Sequence, residues 1–449
     1  MSPSPRTLRI LLQFACVCVL AAGARSQAPV GLPRSTVLHP IDPPWALREP
    51  NRELRIERAA SGDLSNGRRL VEAVAALKPG DRLRIGAGTW SVPSKFVVDL
   101  VGTAELPIWI ESRPGDRVII TRPDAKQNVM DVGSRGPTRF LVIRGLEFTG
   151  GSAGVRLHDC EDVWFDGNEV HHIRDGALTA NTAHTARLHI TRNHLHHTGG
   201  YGEGMYLGAN KGQWVMNSSV VALNHVHDCG GRQGDGIELK QGSWGNWIVG
   251  NIVHDTNYPC LLVYGTGGKP PNLIERNICW GTPTNVMQVQ GEAVVRNNLL
   301  INGGIGFHTH DHQGKTRELV VVHNTIVTSG VGANLSSWSG REGMVLANNA
   351  VYSRKGPAVR CEKGSVGVRF GGNVVHGEVL GAGPEGFSKG RGIDDFRGLD
   401  WTGLTRDPTP VPGSPLVDTG LAAFATWDDL YERERGTLVD VGCVELELH

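Results

Sequence analysis

The chain has 449 residues, with 45 basic and 45 acidic side chains and a formal net charge of zero. That balance excludes a broad basic field of the kind that binds nucleic acid or an anionic membrane surface. Its 60 glycines exceed the usual share of about 7% and suit a chain that turns often.

Residues 1–28 read as an export signal. Arg6 and Arg9 precede an apolar run from Ile10 to Gly23, and Ala22, Ala24, Ser26 and Ala28 offer small residues for cleavage. The run is short for a bilayer span and no second one follows, so no transmembrane segment is expected and the location is secreted or periplasmic. Residues 29–62, rich in proline, are expected to be an extended linker. Asn66 is placed to cap a short helix over Arg68–Leu77, which would cover the first rung of whatever follows.

The main body, residues 63–394, is dominated by one repeat. An asparagine followed two residues later by an apolar residue recurs at positions 168, 193, 224, 251, 277, 298, 324, 349 and 373, in steps of 21 to 31 residues. Such self-similarity marks a solenoid, and the short β-rich segments between the asparagines point to an all-β parallel β-helix. Asparagine suits the corners because it tolerates left-handed backbone, and stacked amides can bond along the axis. Six cysteines remain after the signal, without CxxC spacing. Cys260 and Cys279, in adjacent coils, read equally as a bridge or as buried thiols. Residues 395–449 lose the period and gain prolines, and are expected to lie along the solenoid or over its last rung.

Pro79-Gly80-Asp81, Gly88-Thr89-Trp90, Pro107-Ile-Trp-Ile and Leu141-Val-Ile-Arg-Gly145-Leu-Glu-Phe resemble the opening of secreted right-handed parallel β-helix proteins. Gly413-Ser-Pro-Leu-Val-Asp418 and Val439-Asp-Val-Gly442 resemble their close. These are the pectate-lyase-like superfamily, and the resemblance is strongest to the chondroitinase-B and alginate-lyase branch.

Function has to be sought on one face. Aligning the strand after each glycine-containing turn, and sending alternate residues outward, gives a stripe of Arg156, His158, Tyr206, Glu238, Lys240, Tyr264, Gln288, Gln290, His308, His310, Asn334 and Ser336. Any solvated strand is polar, but tyrosine, glutamine and histidine are groups that read sugars by stacking and paired hydrogen bonds. An acidic polysaccharide is the expected partner of a monomeric protein, with Tyr206, Gln288, Gln290, His308 and Arg156 contacting it. The segment Asp235-Gly-Ile-Glu238-Leu-Lys240 resembles the catalytic strand of the chondroitinase-B-like lyases. The resemblance implies Lys240 as base and calcium at Asp235 and Glu238. Where that family has an arginine acid this chain has Tyr264, which can donate a proton to a glycosidic oxygen. His310, in Phe307-His-Thr-His310-Asp, resembles the catalytic histidine of mannuronan C5-epimerases and is a reserve candidate for acid or base. β-Elimination of a uronic-acid polymer is thus the first reading. A C5-epimerase or glycoside hydrolase on the same fold stands beside it, as does a non-catalytic, adhesin-like solenoid.

Overall fold

The computed structural model describes residues 40–447, so the expected export signal lies outside the described residues. Thirteen strands, from Arg52–Ile56 to Arg369–Gly371, form one continuous ladder whose steps are all parallel, as in Val220 beside Trp247 beside Leu273. A second sheet carries two further parallel ladders. One runs through Leu195, Val226 and Val253, the other through Tyr206, Glu238 and Leu262. They fuse where Ile278–Val289 and Leu299–Thr309 pass unbroken from one face to the next. Each coil therefore has three faces around one core.

Alternation along the strands fills that core with aligned columns. Val170, Leu195, Val226, Val253, Cys279 and Leu300 form one of them, every member fully buried. Cys279 there replaces an aliphatic side chain. All six cysteines are free, so Cys260 and Cys279 are buried thiols and not a bridge.

The nine asparagines form a single amide column. Each Nδ2 donates to the Oδ1 of the next asparagine at 2.9–3.2 Å, from Asn168 through to Asn373. The same oxygen accepts the preceding asparagine's backbone N–H. A shorter column joins Ser219, Asn246 and Asn272. The left-handed corner falls one residue earlier than expected, on Arg192, Leu223, Arg276 and His323 with φ of 53–58°. An asparagine whose amide must run along the axis keeps ordinary backbone, and its neighbour absorbs the turn. Replacing Asn251 by alanine strands buried donors on Asn224 and should lower unfolding free energy by about 3 kcal/mol or more, read from denaturant midpoints.

Three N-terminal expectations change in detail. Arg52–Ile56, inside the expected linker, is a strand in register with Asp81–Ile85, because Leu54 and Ile56 alternate inward between arginines. The helix spans Asp63–Ala75, with left-handed Gly62 at its cap. Asn66 sits within the helix and exchanges hydrogen bonds with the backbone of Ala59 instead. Leu70 and Val74 of the helix join Leu83, Ile85 and Trp90 in the core. Ahead of them, Trp45 packs edge-on to Phe140, and the indole of Trp109 donates to Ala46 O at 3.2 Å, which holds this segment on the outer surface of the first sheet.

The C-terminal segment lies along the solenoid's side. Phe396, Leu399, Leu416, Leu430, Val441 and Cys443 cluster with outward-facing Leu299, Ile301, Val327, Ala350 and Tyr352. No helix among the described residues is long and apolar enough to cross a membrane.

Candidate functional site

The expected stripe exists as two outward columns on the third face. In register, one reads Arg156, Thr179, Tyr206, Glu238, Leu262, Gln288, His308 and Asn334. Thr179 comes from Leu178–Ala180, a strand absent from the sequence alignment. It separates Arg156 from Tyr206 by a full coil, and Arg156 Nε donates to Thr179 Oγ1 at 3.0 Å. The other column carries Lys240, Tyr264, Gln290 and His310, with Tyr264 and Gln290 hung from Leu239 O and Val263 O.

At the centre, Lys240 Nζ lies 2.5 Å from Glu238 Oε1, and both residues are only 4% exposed. The rings of Tyr206 and Tyr264 flank that ammonium at 4.7 and 4.9 Å. Gly208 makes room for it. With φ of 81°, a Cβ at this position would also fall 2.8 Å from Ser243 Oγ and 3.3 Å from Lys240 Cβ. Burial raises the carboxyl of Glu238 against the pull of Lys240. Burial first, then Glu238 and Glu203, holds Asp235 well above the usual carboxylate range, and its Oδ1 has no hydrogen-bond partner among the described residues. Burial, reinforced by Glu238 and Asp175, pushes Glu203 up to about 7. Both tyrosine hydroxyls are raised by burial and by Glu238.

Glu203 was not among the expected site residues. Its signal is the triplet Glu203-Gly-Met, repeated one coil later as Asp235-Gly-Ile and aligned by Gly204 N donating to Asp235 O at 2.9 Å. Calcium requires about six to eight oxygen ligands. Here Glu238 is engaged by Lys240, and among the described residues Asp235 and Glu238 belong to no group of three ligand atoms within 4.8 Å. The donor set as arranged fits an ammonium and not calcium.

The remaining stripe residues divide. Gln290 is buried, and its Oε1 accepts from Gly265 N at 3.1 Å while Nε2 has no partner among the described residues. Gln288 accepts from Asn285 at 2.9 Å. His308 stacks on His310 at 4.8 Å, and burial brings it down to about 4. Burial lowers His310 as well, and its Nδ1 has no partner among the described residues. His312 turns to Tyr264, with ring centroids 5.5 Å apart, so the alternating histidines do not converge on one point. Beyond them the chain folds back across the stripe: Gln313 accepts from Lys211 N at 2.6 Å and donates to Asn210 Oδ1 at 2.9 Å. A cavity of about 260 Å³ lined by Gln241, Glu292, Lys315 and Arg317 adjoins this strap. A larger one of about 460 Å³, beside Phe370 and Phe424, lies toward the C-terminal end, away from Lys240.

Residues 129–271 match the profile of a family described as a right handed beta helix region. No curated protein matches the sequence. Among solved structures, XylC in its complex with xylose is 9% identical, aligning 84% of this chain and 95% of that one with a TM-score of 0.57. The PL6 family alginate lyase AlyGC is 13% identical, aligning 87% of this chain and 57% of that one at 0.50. Pectate lyase Pel9A is 15% identical, with 90% and 98% covered, at 0.49. At such identities the likeness is one of fold. The parallel ladders, the amide column and the matched profile together make this chain, by fold, a right-handed parallel β-helix.

Proposed function

We propose that the protein is a secreted or periplasmic polysaccharide lyase, monomeric, which cleaves a uronic-acid polymer by β-elimination. The observation that carries this reading is the buried Lys240–Glu238 pair between two tyrosines. A lysine is a base only as a free amine. Across a 2.5 Å contact in a dry site, passing its proton to Glu238 costs far less than in water, because burial already favours the neutral carboxyl. The amine then takes the proton at C5 of the sugar. Tyr264, kept protonated by burial, gives its proton to the departing glycosidic oxygen. Glu203 and Asp235, in their protonated forms, donate hydrogen bonds to the uronate carboxylate and so offset the charge that builds on it. Tyr206 offers a stacking face, while Gln288, Gln290, His308 and Arg156 line the groove for further sugar units. XylC holds xylose and AlyGC is an alginate lyase on the same fold, which supports a sugar ligand.

Glu203 and Asp235 on adjacent coils favour a second reading, a glycoside hydrolase using paired carboxyl groups. One experiment separates the readings: incubation with alginate, pectin and glycosaminoglycans while following ultraviolet absorbance and reducing ends together. A lyase raises both, a hydrolase only the reducing ends, an epimerase neither, and a binding solenoid leaves the polymer unaltered. Indifference to every uronate polymer would defeat the proposal.

A further inference from the structure

Eight of the chain's eighteen histidines gather on the second face, outside the site above, on the strands that follow four ladder asparagines. Glu169, His194 and His225 form one outward column, and His171, His196, His227 and His254 form the next, ending at Trp280. Within each column the rings stack, at 5.0 Å for His196 on His227 and 4.9 Å for His194 on His225. Stacking alone would repeat the logic of the amide column. What exceeds it is convergence between the columns: His194 Nε2 lies 2.7 Å from His227 Nε2, and His225 Nε2 lies 2.9 Å from His254 Nε2.

Ligand nitrogens of His194, His225 and His227 all fall within 4.8 Å of one another. On the outer side, Asp228 Oδ2 accepts from His227 Nδ1 and Asp255 Oδ2 from His254 Nδ1, each at 2.7 Å. A carboxylate can only accept, so Nδ1 carries the hydrogen and Nε2 turns its lone pair toward the neighbouring column. This is the carboxylate–histidine arrangement that orients a metal ligand. We infer that His194, His225 and His227 form a site for a divalent ion with a preference for imidazole, of the Zn²⁺, Cu²⁺ and Ni²⁺ class, with Asp228 as the positioning residue and water completing the shell. Zinc–nitrogen bonds of about 2.0–2.1 Å place ligand nitrogens about 3.4 Å apart in a tetrahedral shell, so the 2.7 Å pair opens by less than an ångström to admit an ion. A set of imidazoles discriminates against Ca²⁺ and Mg²⁺, which take oxygen. The inference is independent of the carbohydrate reading.

The test is metal retention by the untagged full chain, stripped with chelator, loaded with ZnCl₂, CuCl₂, NiCl₂ or CaCl₂, desalted and assayed for metal. At least one transition ion per chain should remain, and no calcium at this site. Titration calorimetry should show His227→Gln and His194→Gln each weakening Zn²⁺ binding at least about tenfold, and Asp228→Asn weakening it about 10–100-fold, while Lys240→Ala keeps it. Should a variant misfold by circular dichroism, Co²⁺ loading of the unaltered protein decides, since a tetrahedral imidazole site gives intense visible bands. Failure of the stripped protein to retain any of the three ions, unchanged binding in the folded histidine variants, or Co²⁺ without those bands would overturn the inference.

Discussion

Lys240→Ala is expected to lose about 10²–10⁴-fold in kcat/KM on whichever uronate polymer is cleaved, measured as the initial rate of ultraviolet absorbance. Alanine also leaves Glu238 buried without its cation, and the carboxyl will then take up a proton. The variant should therefore be stable at acidic pH and lose stability as pH rises, a trend that a Lys240→Ala, Glu238→Gln double variant removes. Tyr264→Phe is the companion test. It keeps the ring against the ammonium and deletes only the hydroxyl, so kcat should fall while the unfolding midpoint stays put. Full activity in Lys240→Ala would eliminate the base, whatever the products.

The second large effect is a pH dependence of stability that traces to Glu203. Its folded carboxyl titrates at about 7, against an ordinary value of 4.5. A raised value means that the folded state binds the proton more tightly, so the contribution is complete below about pH 4.5 and is lost as pH climbs through 7. At roughly 1.4 kcal/mol per unit, this amounts to about 3 kcal/mol across that window. Glu203→Gln removes the titration and keeps the shape, so its stability should stay flat where that of the unaltered protein declines. Asp235, raised by the same burial, adds to the slope in the same direction, and Asp235→Asn should reduce what remains. Denaturant midpoints collected from pH 4 to pH 8 are the measurement. Parallel profiles for Glu203→Gln and the unaltered chain would show that the carboxyl titrates alike in the folded and unfolded states and is not raised by burial.

How far the sequence revealed this can be judged residue by residue. The amide column was legible because a stacked asparagine at every turn leaves a period that nothing else produces. The finer statement, that the ladder asparagine itself makes the corner, failed because the residue before it takes the left-handed turn, whether that is Gly167, Gly250 or Gly372, Asn297 or Asn348, or a type such as Arg192 or Leu223 that does not advertise it. Strand alternation correctly brought Tyr206, Glu238, Lys240 and Tyr264 onto one face. Thr179 was lost because Leu178-Thr-Ala is too short and too ordinary to stand out between turns. Glu203 was lost because it lies in irregular backbone just before the strand Met205–Leu207, where alternation says nothing about direction and only burial reveals a raised carboxyl. The strap at Gln313 joins residues more than a hundred apart, beyond the reach of any local pattern. The three alternate histidines at 308–312 stay apart, whereas His194 and His227, one coil apart in the fold and 33 residues apart in the chain, bring their Nε2 atoms to 2.7 Å, which no local spacing announces.

The C-terminal segment has a consequence for the order in which the molecule assembles. Coil stacks on coil through partners some 25 residues apart, as from Asn168 to Asn193, so the rod can zip progressively from any nucleus. The tail closes much longer loops: Cys443 N reaches Thr325 Oγ1 across 118 residues, and Arg435 reaches Asn297 across 138. Its docking is therefore the kinetically late event. Until it happens, the row of Leu299, Ile301, Val327 and Ala350 faces water on a ladder that is otherwise finished. The interval between zipping and docking is the period in which two such chains would adhere to each other, and it ends when the segment from Phe396 onward docks.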